Sequence, residues 1–212
     1  MTKTQSKTHF CATIIGLCAI CICGVANDAR AQAPATNPHA TAKDPQNSFE
    51  PRTGPGEGQK LMEKMVGEWD VVKSIFPVGK EPRRTKGVCH QTMMHDGRFL
   101  RSEFIFEEPD GKKTDGVGIL GFDPTIGLFT SVWTDSRSTR FSLRQSEGKF
   151  DGEQIILLAR SLEGAPDGRH SRTVAKLEEN GKKLFHRQYV VGADGKEFVI
   201  MELAMTRRAT GK

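Results

Sequence analysis

Beyond residue 67 the chain keeps a two-residue rhythm of apolar and polar positions, the pattern of extended strands whose side chains alternate between faces. Turn-forming pairs punctuate it: Asp96-Gly97, Asp110-Gly111, Asp123-Pro124, Glu147-Gly148, Asp167-Gly168, Asn180-Gly181 and Asp194-Gly195. Between them the pattern predicts strands over 68–76, 84–94, 98–107, 113–122, 128–135, 139–145, 149–161, 171–179, 183–192 and 196–207. Ahead of them, GQKLMEKMVG sets Leu61, Met62, Met65 and Val66 on one side of a short amphipathic helix that Gly67 ends. Ten strands and one short helix, without βαβ alternation, predict an all-β fold: an antiparallel up-and-down meander closing into a barrel. Closure removes exposed sheet edges, and the interior of such a barrel is filled by side chains or holds one small ligand.

The alternation also assigns faces. In RFLRSEFIFE the set Arg98, Leu100, Ser102, Phe104 and Phe106 is the apolar one, which points Arg98 inward near a strand start. In GLFTSVWTD the inner set is Phe129, Ser131, Trp133 and Asp135. The strand KLFHRQYVV leaves two sets in competition, Phe185, Arg187, Tyr189 and Val191 against Leu184, His186, Gln188 and Val190. Near the end, Val199, Met201, Leu203 and Met205 form an apolar stripe of core character. Trp69, at the head of the first strand, is expected to plug one end of the barrel.

The N-terminus alters the picture of where the domain works. Lys3 and Lys7 precede an uncharged run from Phe10 to Ala26, with a small-x-small site at Ala29-Arg30-Ala31, so residues 1–31 read as a secretory signal peptide cleaved after Ala31. An uncleaved anchor is the competing reading, because the run approaches the length of a spanning helix; with cleavage no membrane span remains. The protein is therefore expected to be exported, periplasmic or secreted. Residues 32–58 hold five of the ten prolines and almost no large apolar side chain, which reads as a disordered linker. A single domain over 59–208 and a tail at 209–212 complete the organisation.

Cysteine and charge exclude more than they assert. Cys11, Cys18, Cys21 and Cys23 leave with the signal, so only Cys89 stays and no intramolecular disulfide framework is available. Loss of residues 1–31 removes three basic residues and one acidic one, lowering the formal net charge from +5 to +3. The remaining charges are interspersed, an ordinary solvated surface rather than a nucleic-acid stripe. Cys89, His90, His95 and His186 lack zinc-ligand spacing, and alternation sends Cys89 and His90 to opposite faces. No Gly-rich phosphate loop or G-x-S-x-G elbow occurs, so neither a metal nor a cofactor is indicated.

What remains is an interior with charges in it. Arg98, Phe104, Trp133, Asp135, Arg187, Tyr189 and Glu202 form the candidate ligand-binding set, since a buried charge must pair, meet water or meet a ligand. For Trp133 and Asp135 a structural alternative stands beside this: a core indole and a strand-end carboxylate paired with Arg98 or Arg137.

Four runs, LMEKMVGEWDV, HDGRFLRSEF, GVGILGFDPTIGLFTSVWTDSRST and GKEFVIMELAMTRR, resemble in order the bacterial family known as domain of unknown function 1579. The resemblance spans 59–208, and its most specific block is a Gly-(Phe/Tyr)-Asp turn followed by a strand ending Trp-x-Asp-Ser. It implies a calycin-like barrel of the lipocalin and fatty-acid-binding-protein type and brings no established reaction. The family's motif positions fall on Gly67, Trp69, Gly97, Arg98, Phe99, Gly121, Asp123, Trp133, Asp135, Glu202 and Arg207. Phe122 and Ala204 stand where the family often has Tyr, which implies an interior short of hydroxyls and leaves Tyr189 as the one tyrosine.

Three functions fit this reading. The first is an exported barrel binding a small hydrophobic or amphipathic molecule, with a polar or anionic group held by Arg98 or Arg187. The second is an interaction module with a packed interior. The third is a barrel enzyme using Asp135 or Glu202 as acid or base, assisted by Tyr189.

Overall fold

The computed structural model describes residues 53–159 and 170–209. The signal segment, the linker up to Arg52, the expected end of the seventh strand and the Asp167-Gly168 turn lie outside the described residues.

A helix, α1 (Glu57–Glu63), is followed by β1 (Gly67–Ile75), β2 (Arg83–Met94), β3 (Phe99–Glu107), β4 (Lys113–Asp123) and β5 (Leu128–Asp135). Then come β6 (Ser142–Ser146), β7 (Gln154–Ala159), β8 (His170–Glu178), β9 (Lys183–Val191) and β10 (Glu197–Arg207). Each strand pairs antiparallel with the next, and β1 pairs with β10, Val71 opposite Met205, so the ten strands of the described residues form one closed barrel. The expected meander is therefore present.

Helix α1 lies across the barrel end formed by the starts of β3 and β5 and the ends of β2 and β4. It begins inside the stretch read as linker, because the Gln59 side chain fixes it. Gln59 Oε1 accepts from the Gly56 amide at 2.7 Å, and Nε2 donates to the carbonyl of Phe122 at 2.8 Å. Gly58 permits the close approach: a Cβ there would stand 2.3 Å from the Phe122 ring. Phe122 packs against Phe129 and Phe150, with ring centroids 4.7 and 5.9 Å apart.

Trp69 is fully buried beneath this cap, its indole N–H donating to the Met65 carbonyl at 2.9 Å. The Arg207 guanidinium stacks 4.2 Å from the indole and donates to the carbonyls of Lys64, Val66 and Gly181. A Cβ on Gly67 would meet that guanidinium at 2.7 Å. Gly67, Trp69 and Arg207, three positions that the resemblance singles out, thus seal one end of the barrel.

The inner faces follow the expected registers on β3 and β5: Leu100, Ser102, Phe104 and Phe106, then Phe129, Ser131, Trp133 and Asp135. On β10 a bulge intervenes. Val199 pairs with Tyr189 but Met201 pairs with Gln188, so Ile200 is an extra residue and Val199 leaves the face that carries Met201, Leu203 and Met205. Ala204 pairs with Phe185 on the outer face, so the residue there does not affect interior hydroxyls.

Candidate functional site

Away from the capped end the barrel is hollow. A cavity of about 290 Å³ runs from Met65 and Leu100 to Asp115 and Arg137 at the far rim. Phe104, Trp133, Leu157, Ala175, Met201 and Leu203 are among the side chains of its apolar wall. Native interiors leave few voids larger than a water molecule, so this is a space the packing holds open.

Glycines in β4 build one wall. A Cβ on Gly116 would fall 2.3 Å from the Trp133 ring, and one on Gly118 would fall 3.3 Å from it. The indole lies over this side-chain-free stretch and meets Phe104 edge-on at 5.6 Å, while Phe104 stacks on Phe106 at 5.9 Å. Its N–H donates to Asp135 Oδ2 at 3.1 Å.

Asp135 is fixed twice more, by the Arg137 guanidinium at 2.8 Å and by the Arg137 amide at 2.9 Å. These bonds, with the Arg137 guanidinium foremost, hold its carboxyl down at about 2 against the ordinary 3.8. Opposite, Lys73 is 6 % exposed, and its ammonium pairs with Glu108 at 3.0 Å and lies 4.1 Å from the Phe106 ring centroid. The hydrogen bond from Lys73, then one from Thr114, lowers the carboxyl of Glu108.

Deeper in, three polar atoms lack partners. Arg144 projects from β6, and its Nε is buried without an acceptor; Gln91 Oε1 and the Thr173 hydroxyl are also unsatisfied, each with its residue facing the cavity. Gln91 Nε2 donates to the Ser102 hydroxyl at 2.9 Å, which leaves the amide oxygen as the orphan. His186 lies on the inner face of β9, where burial, helped by the charge of Arg144, lowers its imidazole to about 4, so it is neutral at pH 7.

The structure therefore brings together only part of the expected set. Phe104, Trp133 and Asp135 line the cavity. Arg98 does not: it closes the β2–β3 turn, where its guanidinium donates to the His95 carbonyl at 2.9 Å. Consecutive left-handed residues His95, Asp96 and Gly97 spend the chain on a tight turn before β3 begins at Phe99. Arg187, Tyr189 and Glu202 also lie outside, because β9 turns Leu184, His186 and Gln188 inward. There Arg187 pairs with Glu202, and Tyr189 packs against Arg172, which is itself paired with Glu197. The cation that pairs with the Asp135 carboxylate is Arg137 and not Arg98. Cys89 faces inward, where burial pushes its thiol up, while His90 bonds Glu68 on the outer face.

Lys73, Gln91, Arg144 and Thr173 face the cavity without having been in the expected set, and His186 does so as a member of the β9 set that the sequence left in competition. Lys73 carried a signal, since it continues the inward set Trp69 and Val71. Arg144 carried an opposite one. Its neighbours Phe141 and Leu143 are the apolar members of the strand, yet they are 65 % and 47 % exposed, and the polar set Ser142, Arg144 and Ser146 faces inward.

Fold and cavity define a closed ten-stranded antiparallel barrel, capped at one end and hollow at the other. The chain belongs to the family described as "Protein of unknown function (DUF1579)", whose model matches residues 54–207. No curated protein matches it. Among solved structures it resembles Rv2717c from M. tuberculosis, at 12 % identity and TM-score 0.53, over 74 % of this chain and all of that one. It also resembles the S-type phycobiliprotein lyase CPES from Guillardia theta, at 13 % identity and TM-score 0.45, over 78 % of this chain and 98 % of that one. At these identities the likeness to Rv2717c is one of barrel fold.

Proposed function

We propose that the protein binds a small, largely apolar or amphipathic molecule inside its barrel, and that it does so outside the cytoplasm. The cavity carries this reading: about 290 Å³, walled by aromatic and aliphatic side chains with a few placed polar groups, which is the makeup of small-molecule sites. A packed interaction module accounts poorly for that space, and for polar atoms left unsatisfied inside it. The enzymatic alternative loses its carboxylates. Asp135 is tied to Arg137 and Trp133 and stays ionised, and Glu202 pairs with Arg187 on the outer face. Export rests on the N-terminal pattern of residues 1–31 and predicts a mature chain starting at Gln32.

Trp133 supplies the test, because the other tryptophan, Trp69, is sealed under α1. Titration with decanol, an uncharged single-chain amphiphile, is expected to change the tryptophan fluorescence saturably at one molecule per chain. The change should disappear in Trp133→Phe. A titration that is flat up to the solubility of decanol contradicts the reading.

A further inference from the structure

The cations that face the cavity are not all paired, although Asp115 adds an exposed carboxylate at the rim. Lys73 is held by Glu108 and Arg137 by Asp135. Arg144 is left as an interior cation that no carboxylate among the described residues pairs with, and burial alone shifts its guanidinium, downward. Its Nε has no acceptor, and the hydroxyl of Thr173, a residue 1 % exposed on the same cavity, has no partner either. Arg144 is half-buried, its Nε enclosed while the residue keeps some exposure, and an enclosed polar atom without a partner calls for one, which a ligand entering the cavity can supply.

Resting on the ligand-binding reading above, we infer that the cavity takes a single-chain monocarboxylate, with its carboxylate on the Arg144 guanidinium and the Thr173 hydroxyl, and its hydrocarbon against Phe104, Trp133, Leu157 and Met201. The charge count selects a monoanion, because only one interior cation lacks a partner among the described residues. His186 adds no second positive charge near neutral pH. The planar guanidinium fork matches a carboxylate, which accepts two parallel N–H bonds. The head group must sit deep, because Arg144 lies in mid-strand on β6, opposite Ser131 and Ala159, while the paired charges of Asp135 and Arg137 hold the rim.

Isothermal titration calorimetry with decanoate, decanol and decyl phosphate on the purified protein tests this. Decanoate and decanol share a chain and differ in charge. Decanoate is expected to bind about tenfold tighter than decanol or more, the worth of a hydrogen-bonded charge pair. In Arg144→Gln that preference should collapse while decanol affinity holds. Equal binding of decanoate and decanol by the unaltered protein overturns the carboxylate seat and leaves the apolar cavity intact. That comparison needs no variant, so it stands even if Arg144→Gln does not fold. A preference that survives in folded Arg144→Gln overturns the role of Arg144, and tighter binding of decyl phosphate overturns the choice of a monoanion. Failure of all three to bind removes the ligand-binding reading itself, and this assignment with it.

Discussion

His186 shows how much one side chain can depend on its place in the barrel. In water an imidazole titrates near 6.5; here enclosure and the neighbouring Arg144 lower it to about 4. Between those two values the unfolded chain binds a proton that the folded chain refuses. Stability is therefore full above pH 6.5 and drains as the pH falls towards 4, by up to roughly 3 kcal/mol. Urea unfolding at pH 7.5, 5.5 and 4.5 is expected to show that loss, and His186→Gln should flatten it. Asp135 acts in a separate window: its depressed carboxyl contributes stability above about pH 4 that is lost only as the pH falls towards 2. Gly116 is the second residue whose identity the site demands. Gly116→Ala would place a methyl 2.3 Å from the Trp133 ring, and a flat ring pinned between β4 and Phe104 cannot swing aside cheaply. The expected cost is about 1–3 kcal/mol in denaturant unfolding, with weaker decanol binding because the indole is pushed into the cavity.

At the scale of elements, α1 and its contacts close the barrel, and they are held by few bonds. Gln59 is 3 % exposed and joins the helix start to the β4 strand end. Gln59→Ala strands the Phe122 carbonyl and the Gly56 amide, so a loss of about 1–2 kcal/mol is expected, with faster hydrogen exchange in α1 than in β3 or β4. The strands themselves were legible in the sequence because Gly, Asp and Asn mark their turns and the apolar set recurs at period two. Faces were legible only where one set was clearly more apolar, as in β3 and β5. In β9 both alternating sets carry apolar and polar members, so Arg187 and Tyr189 could not be separated from His186 and Gln188 by pattern. On β6 the rule inverts, because the wall facing the cavity is polar and Leu143, with Phe141 just before the strand, points to solvent. A periodicity argument finds the side that water avoids; it does not find a cation kept inside without a carboxylate.

For the whole molecule, the two ends of the barrel do different work. One is sealed by Trp69, Arg207 and α1, where much of the family pattern falls; the other opens past Lys73, Asp135 and Arg137 onto the cavity. The positions singled out by the resemblance therefore mark the lid and part of the wall, Trp133 and Asp135, while the unpaired cation Arg144 is evident only in the fold. The central claim is that the cavity is an occupied binding site. Native mass spectrometry of the protein from its producing cells, before and after denaturing extraction and again with added decanoate, tests it most directly. The account predicts one small molecule per chain, released by extraction and replaced by decanoate in the unaltered protein but not in Arg144→Gln. A bare polypeptide mass that takes up no decanoate would contradict it.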